Sequence, residues 1–305
     1  MLFCRYSLLL LVKFVPSLCL GAGHNPNQVS SDDVSRFQYW AQYAAAAYCE
    51  STFANPSGGL KIVCDTGNCP DVEDADPEVL LSITEESTLG SAFVARDDTN
   101  RALVVSIRGA ESVRSKIADR SDLLVPIPFC SSCQASVGIW ETWLAVNTTI
   151  LNTLATAHAQ NSDYEVVVVG HSHGAAVATL AASSIRHYGY STTCYTFGSP
   201  RVLNGAFADF ITAQGKNYRF THVDDAIPIA PPSWLGYEHV RPEYRITSPG
   251  NVTVTAADIE VREISAAGSL LDIFRSVILN SDVHDAHRWY FQWITSCSDH
   301  RTRWR

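Results

Sequence analysis

Val166 to Val169 form a continuous apolar run between Glu165 and Gly170, and an alanine-rich stretch follows at once. A run of this length, β-branched throughout, reads as a strand buried on both faces, as in a parallel sheet. Ala175, Ala176, Ala178, Ala181 and Ala182 then predict a helix, Ala175 to His187, packed tightly on that sheet. Further strands are predicted at Thr193 to Phe197 and Tyr218 to Val223, with a helix near Ala206 to Gln214 between them. Upstream, Ser30 or Ser31 caps a first helix whose face carries Val34, Phe37, Ala41, Ala44 and Tyr48. Tyr39, Trp40 and Tyr43 imply that this helix is covered on more than one side. Residues 55–78 are rich in Pro, Gly, Asp and Asn and read as loop. Ser91 to Ala95 and Ala102 to Ile107 read as paired strands around Asp97-Asp98-Thr99-Asn100, and a helix is predicted from Val137 to Ala159. Strands alternating with helices imply an α/β fold with a mostly parallel central sheet and flanking helices. Ligands bind such sheets at the carboxyl ends of the strands.

The first residues have a different pattern. Arg5 precedes the apolar run Leu8 to Val12, Lys13 interrupts it, and Phe14 to Leu20 resumes it before Gly21-Ala22-Gly23. This pattern predicts a secretory signal peptide over residues 1–22. It is too short and too interrupted for a membrane anchor. No repeat, low-complexity block or linker divides residues 23–305, which are expected to form a single domain. Cys4 and Cys19 leave with the signal peptide, and the odd number that remains leaves at least one thiol unpaired in an oxidising compartment. The spacings 64/69 and 130/133 are also compatible with zinc, but no second C-x-x-C or histidine pair completes a site. Asn147 and Asn251 open N-x-S/T sequons. The formal charge of −9, with no basic stripe, argues against nucleic acid as a partner.

Chemistry enters at Gly170-His171-Ser172-His173-Gly174, between the valine strand and the alanine helix. In a nucleophile elbow of this G-x-S-x-G form, the chain reverses so sharply that the flanking positions must be glycine. The turn lifts Ser172 Oγ above the sheet and directs the N–H of His173 toward a developing oxyanion. A serine hydroxyl needs a base to take its proton and an acid to orient that base, in the chain order serine, acid, histidine. Asp209 lies in a helical pattern and Asp258 in a peripheral one, whereas Asp224 and Asp225 directly follow a strand. His222 precedes those acids, leaving His239, His284 and His287 as bases. His284 and His287 share a face if helical, but no carboxylate or cysteine completes a metal site with them.

Several segments together resemble the secreted fungal class 3 lipases. They are Ile107-Arg108-Gly109, Cys130-Ser131-Ser132-Cys133, Gly170 to Gly174, Phe197-Gly198-Ser199-Pro200-Arg201, Asp225 followed by Pro228, Gly236-Tyr237-Glu238-His239 and Ala286-His287-Arg288-Trp289-Tyr290-Phe291. They occur in order from about residue 35 to 297. The resemblance implies an α/β-hydrolase fold with Ser172 as nucleophile, Asp225 as acid and His287 as base; His239 falls outside the triad and His284 on a nearby loop. It implies disulfides Cys49–Cys297, Cys64–Cys69 and Cys130–Cys133, leaving Cys194 free; Cys194 lies in a strand pattern and reads as a small buried hydrophobe. Ala110 and His173 would form the oxyanion hole, although the family usually has Ser or Thr where this chain has Ala110. The family's lid aligns with Glu111, Ser112, Val113, Arg114, Ser115, Lys116, Ile117 and Ala118. Lys116 falls where some lids carry tryptophan, and only Val113 and Ile117 form an apolar face. A lid this polar is a weak interfacial switch and tilts the expectation toward mono- and diacylglycerols, with triacylglycerols not excluded. The chemistry requires no metal or organic cofactor; the implied partners are an ester substrate and, transiently, a lipid–water interface. Rival readings are a feruloyl esterase with the same triad and a secreted binding protein that has lost activity.

Overall fold

A computed structural model of the protein describes residues 29–85, 90–110, 123–263 and 282–298. The signal-peptide segment and the lid segment Glu111 to Ala118 lie outside these residues. Strands β1 (Leu60–Lys61), β2 (Glu78–Glu85), β3 (Gly90–Asp97), β4 (Ala102–Ile107), β5 (Leu124–Pro126), β6 (Gln134–Ser136), β7 (Glu165–His171), β8 (Thr192–Phe197), β9 (Leu203–Asn204), β10 (Asn217–His222), β11 (Tyr237–Glu238), β12 (Glu243–Ile246) and β13 (Ile259–Arg262) build two sheets. The main sheet has the order β1-β2-β3-β4-β7-β8-β10-β12-β13. Its centre, β4 through β12, is parallel, and antiparallel strands finish both ends. The valine run has the predicted place: β7 pairs with β4 and β8, and Val166 to Val169 are buried. A small antiparallel sheet, β11-β9-β6-β5, stands beside it, and β14 (Trp289–Tyr290) pairs with β15 (Gln292–Trp293) near the C-terminus.

Helices α1 (Ser31–Ala46), α2 (Pro70–Asp74), α3 (Val137–Gln160), α4 (His173–His187), α5 (Gly205–Ala213) and α6 (Asp282–Arg288) flank the sheet. On one face α3 buries Trp143, Val146, Ile150, Leu154 and Ala157, one stripe at helical spacing. Beside it α4 is buried almost all round, which its alanines permit. On the other face α1 lays Phe37, Trp40 and Tyr43 against Tyr195, Phe197 and Phe220, and the C-terminal Tyr290, Phe291 and Ile294 join the same core. Ser30 caps α1 by a reciprocal box: its Oγ accepts from the Asp33 N–H at 3.1 Å and the Asp33 carboxylate accepts from the Ser30 N–H at 3.0 Å.

Three expectations need correction. Tyr48 lies two residues past the end of α1 rather than on its face. Residues 55–78 are not wholly loop but contain β1, α2 and the first residue of β2. His284 lies in α6 with His287 rather than on a loop. The turn after β3 is also more than a turn. Asp97 is fully buried and accepts from the hydroxyls of Tyr39 (2.5 Å) and Tyr43 (2.9 Å) and from the Asn100 main chain (2.9 Å). That satisfies a carboxylate which would otherwise be too costly to bury.

Candidate active site

The β4–β7 register aligns Ile107 with Gly170, so residues 108–110 leave the sheet beside residues 171–173. Ser172 follows the last residue of β7 and precedes the first of α4. Its backbone has φ 57°, a conformation costly for a residue with a Cβ and stored only where the surroundings enforce it. Here they do. The Ser172 N–H donates to the Phe197 carbonyl at 2.9 Å, and the Ser172 carbonyl accepts from Ala175 and Ala176. A Cβ on Gly170 would lie 2.3 Å from the Gly174 carbonyl oxygen, and one on Gly174 would lie 2.2 Å from that of Ile107. Both glycines are therefore required for the strand, the turn and the helix to approach this closely.

His287 meets the serine from the opposite side. Its Nε2 lies 2.8 Å from Ser172 Oγ, and its Nδ1 lies 2.8 Å from Asp225 Oδ2. All three side chains are buried. Asp225 also accepts from the Tyr290 hydroxyl at 2.6 Å and from the Ile227 N–H at 2.9 Å. Burial alone would raise its pKa; His287, Tyr290 and Ile227 together hold it below the usual carboxylate value. Asp225 is therefore ionised, accepting from Nδ1–H and presenting the lone pair of Nε2 to the serine.

The other candidates stand elsewhere. Asp224 is exposed, Asp209 pairs with Arg241 on the surface, and Asp258 caps a short 3-10 turn. His239 is buried against the Pro228 carbonyl at 2.7 Å, and His222 lies beside the Asp224 main chain. Ala110, just past β4, and His173, the first residue of α4, flank the serine in chain and in register, and both are buried. Cys49–Cys297, Cys64–Cys69 and Cys130–Cys133 are disulfides, which commits both short cysteine spacings. Glu73 completes a cluster with Cys64 and Cys69, but their sulfurs are bonded to each other and Glu73 accepts from the Cys64 N–H at 2.7 Å. Cys194 is a buried thiol, its pKa pushed up to about 12 by burial.

Sequence reasoning did not single out Tyr290 or Gly198. Tyr290 lies three residues after His287, and a buried tyrosine hydroxyl needs a partner, which was the available signal. Gly198 has φ 62°, and a Cβ there would lie 2.9 Å from Asp225 Oδ2 and 3.1 Å from the His287 ring. The acid–histidine pair thus rests directly on main chain.

Comparison with known proteins agrees with this geometry. The family model for lipase (class 3) matches residues 104–234, and that for the lipase 3 N-terminal region matches residues 19–81. The secreted mono- and diacylglycerol lipase A of Penicillium cyclopium is 43% identical over 267 residues, covering 86% of each chain. The secreted mono- and diacylglycerol lipase 1 of Fusarium solani is 35% identical over 288 residues, covering 92% of this chain and 83% of its own. The crystal structure of the Aspergillus oryzae mono- and diacylglycerol lipase superposes with a TM-score of 0.79 at 40% identity, covering 87% of this chain and 98% of that one.

Proposed function

This chain belongs to the class 3 lipase family, and from that membership and the site geometry we propose that it is a secreted serine esterase that hydrolyses acylglycerols through an acyl-enzyme. The observation that carries the proposal is the pair of 2.8 Å contacts from Ser172 through His287 to Asp225. Ser172 Oγ attacks the ester carbonyl as His287 Nε2 takes its proton, and the negative charge moves to the carbonyl oxygen. The N–H groups of Ala110 and His173 receive that oxyanion, helped by the positive end of the α4 dipole. Collapse breaks the bond to the alcohol, which leaves with the proton from His287. Water then attacks the acyl carbon, gives a proton to His287 and releases the acid, and the proton returns to Ser172. Asp225 stays ionised throughout and stabilises the imidazolium.

Mono- and diacylglycerols are the preferred substrates in this proposal. The relatives' names support that preference, as does the limited apolar face of Glu111 to Ala118 as a lid. Residues 1–22 direct export and are removed, and the remainder works outside the cell as a single domain. The exposed turn at Asn251 and the half-buried helical Asn147 are its glycan acceptors.

Two measurements test the function. Ser172→Ala should lower hydrolysis of a soluble ester by roughly 10⁵–10⁶-fold and abolish labelling by a phosphonate; retained labelling would refute the assignment of the nucleophile. A profile across emulsified mono-, di- and triacylglycerols and methyl ferulate should show highest turnover on the first two. Dominant ferulate cleavage would favour the rival esterase. Ala110→Ser should raise turnover by less than the ~2.7–4 kcal/mol associated with one complete oxyanion donor.

A further inference from the structure

The mechanism leaves unused a buried histidine one residue before the serine. His171 ends β7 and is 1% exposed. Its Nε2 lies 2.7 Å from the main-chain oxygen of His287, and its Nδ1 lies 2.7 Å from the Tyr48 hydroxyl. A carbonyl only accepts, so Nε2 carries the proton; Nδ1 then presents a lone pair to the Tyr48 O–H. One neutral tautomer satisfies both contacts. Burial first, and then His287, depress the pKa of this ring to about 3, so it remains uncharged beside the base. The two imidazoles lie 4.8 Å apart, centroid to centroid.

The carbonyl it serves has no partner of its own within the helix. Helix α6 ends at Arg288, so the His287 carbonyl is among the last four, which have no intrahelical donor. The Arg288 carbonyl is satisfied by the Ile294 N–H at 2.9 Å, and that of His287 by His171. Asp225 restrains the ring of His287 at Nδ1; His171 fixes the backbone from which that ring projects. Tyr48, also buried, lies two residues past α1 and next to Cys49, whose disulfide to Cys297 ties the two chain segments together.

We propose that Tyr48 and His171 form a positioning relay that holds the main chain of His287 and so aims its Nε2 at Ser172. The inference rests on the assignment of Ser172, Asp225 and His287 made above. Neither relay residue touches the reacting atoms; the Tyr48 O–H satisfies Nδ1 of the tautomer that the His287 carbonyl requires, and His171 sets the place of the base.

The test compares Tyr48→Phe, His171→Phe and His171→Gln with wild type. His171→Phe removes the donor and should lower kcat by about 100-fold, the cost of a misplacement of ~1 Å, with KM unchanged. Tyr48→Phe should cost roughly tenfold by leaving the buried Nδ1 of His171 without its donor and loosening the ring. His171→Gln, whose amide N–H reaches the position of Nε2, should recover most of the loss. Nitrogen NMR of the wild-type enzyme should show His171 as the neutral Nε2–H tautomer from about pH 5 to 8. Folded variants with wild-type kcat would overturn the relay, as would an Nδ1–H tautomer or an imidazolium at His171 in wild type, even if the variants do not fold. Phosphonate labelling of wild-type Ser172 distinguishes the two levels: labelling with unaffected relay variants sinks only the relay, whereas no labelling sinks the mechanism beneath it.

Discussion

The serine and the histidine come together from unlike supports. Ser172 is held by main chain: a valine strand behind it, an alanine helix ahead, and two glycines that let these touch. His287 is held mainly by side chains, with the Gly198 main chain packed against the pair: the Asp225 carboxylate, the Tyr290 hydroxyl, the His171 imidazole, and beyond them an aromatic core joined to the segment after α1 by the Cys49–Cys297 disulfide. The first support fails when backbone spacing changes. The second fails one hydrogen bond at a time. A nucleophile in a strained conformation needs the rigid support, because nothing else maintains φ 57°. A base that is protonated and deprotonated twice in each turnover needs polar partners around it.

The largest expected effect breaks the rigid side. Gly174→Ala puts a Cβ 2.2 Å from the Ile107 carbonyl oxygen and 2.7 Å from the Arg108 carbonyl, and neither is the end of a flexible side chain. The helix must move off the strand, at a cost of about 3 kcal/mol, the upper end of what overpacking typically costs. Because Arg108 leads into Ala110, turnover should fall with stability. Denaturant unfolding and an ester assay on the same preparation measure both. A native midpoint would show that the backbone contact is not required.

Next comes the anchor on the other side. Cys49→Ala with Cys297→Ala opens a link across 248 residues and should cost about 2–4 kcal/mol. The support at Ser172 is unaffected, so folded protein should remain and lose phosphonate labelling rate through the base. Loss of α4 protection in hydrogen exchange, before loss at residues 282–298, would contradict the division between the two supports.

These supports were not equally legible in the sequence. The serine side was, because local pattern determines it: a buried strand, a small-residue helix and glycines at fixed offsets. The histidine side depends on contacts between distant residues. Asp224 and Asp225 both follow β10, and only the fold exposes one and buries the other. Helix α2 was hidden because its first N–H groups are capped by the Gln42 side chain, which accepts from Asp71 at 2.8 Å and Val72 at 3.3 Å. Strand β2 was missed because the irregularity between Val79 and Leu81 breaks its alternation. Strand β12 reads as polar because Glu243 faces inward, 3.5 Å from the buried Arg219 and 3.0 Å from the Thr221 hydroxyl. The cost of burying such groups is offset only by partners elsewhere in the chain.

A smaller effect separates charge from packing on the polar side. Tyr290→Phe keeps the ring in its core and removes the 2.6 Å donation to Asp225. A hydrogen bond to a charged group contributes about 1.5–3 kcal/mol, and stability should fall within that range. Asp225 also loses one of the contacts that hold its pKa down, while burial continues to push it up. The carboxylate then protonates at a higher pH, so activity on the acid side should fade earlier than in wild type. A pH–kcat profile checks this; an unchanged acid limb would mean that Tyr290 only fills space.

The gentlest perturbation is acid itself. His171, His222 and His239 are buried, and burial is the leading cause that lowers each pKa, to about 3 for His171. In the unfolded chain these rings take up protons below about pH 6.5, where the fold keeps them neutral. The unfolded state therefore binds more protons, and stability falls as pH drops from 6.5; for His171 the loss continues until about pH 3. Each ring contributes up to about 1.4 kcal/mol per pH unit once its unfolded form is fully charged. The depressed Asp225 adds its own loss only below the ordinary carboxylate value of 3.8, so between pH 6 and 5 the buried histidines contribute and Asp225 does not. His171 and His222 adjoin the base and acid, whereas His239 lies under Pro228. His239→Gln should flatten the pH dependence of the denaturation midpoint while leaving turnover near neutral pH as it was. If it leaves the slope unchanged, the acid sensitivity lies wholly in the groups around His287, and the support made of side chains is also the one that titrates.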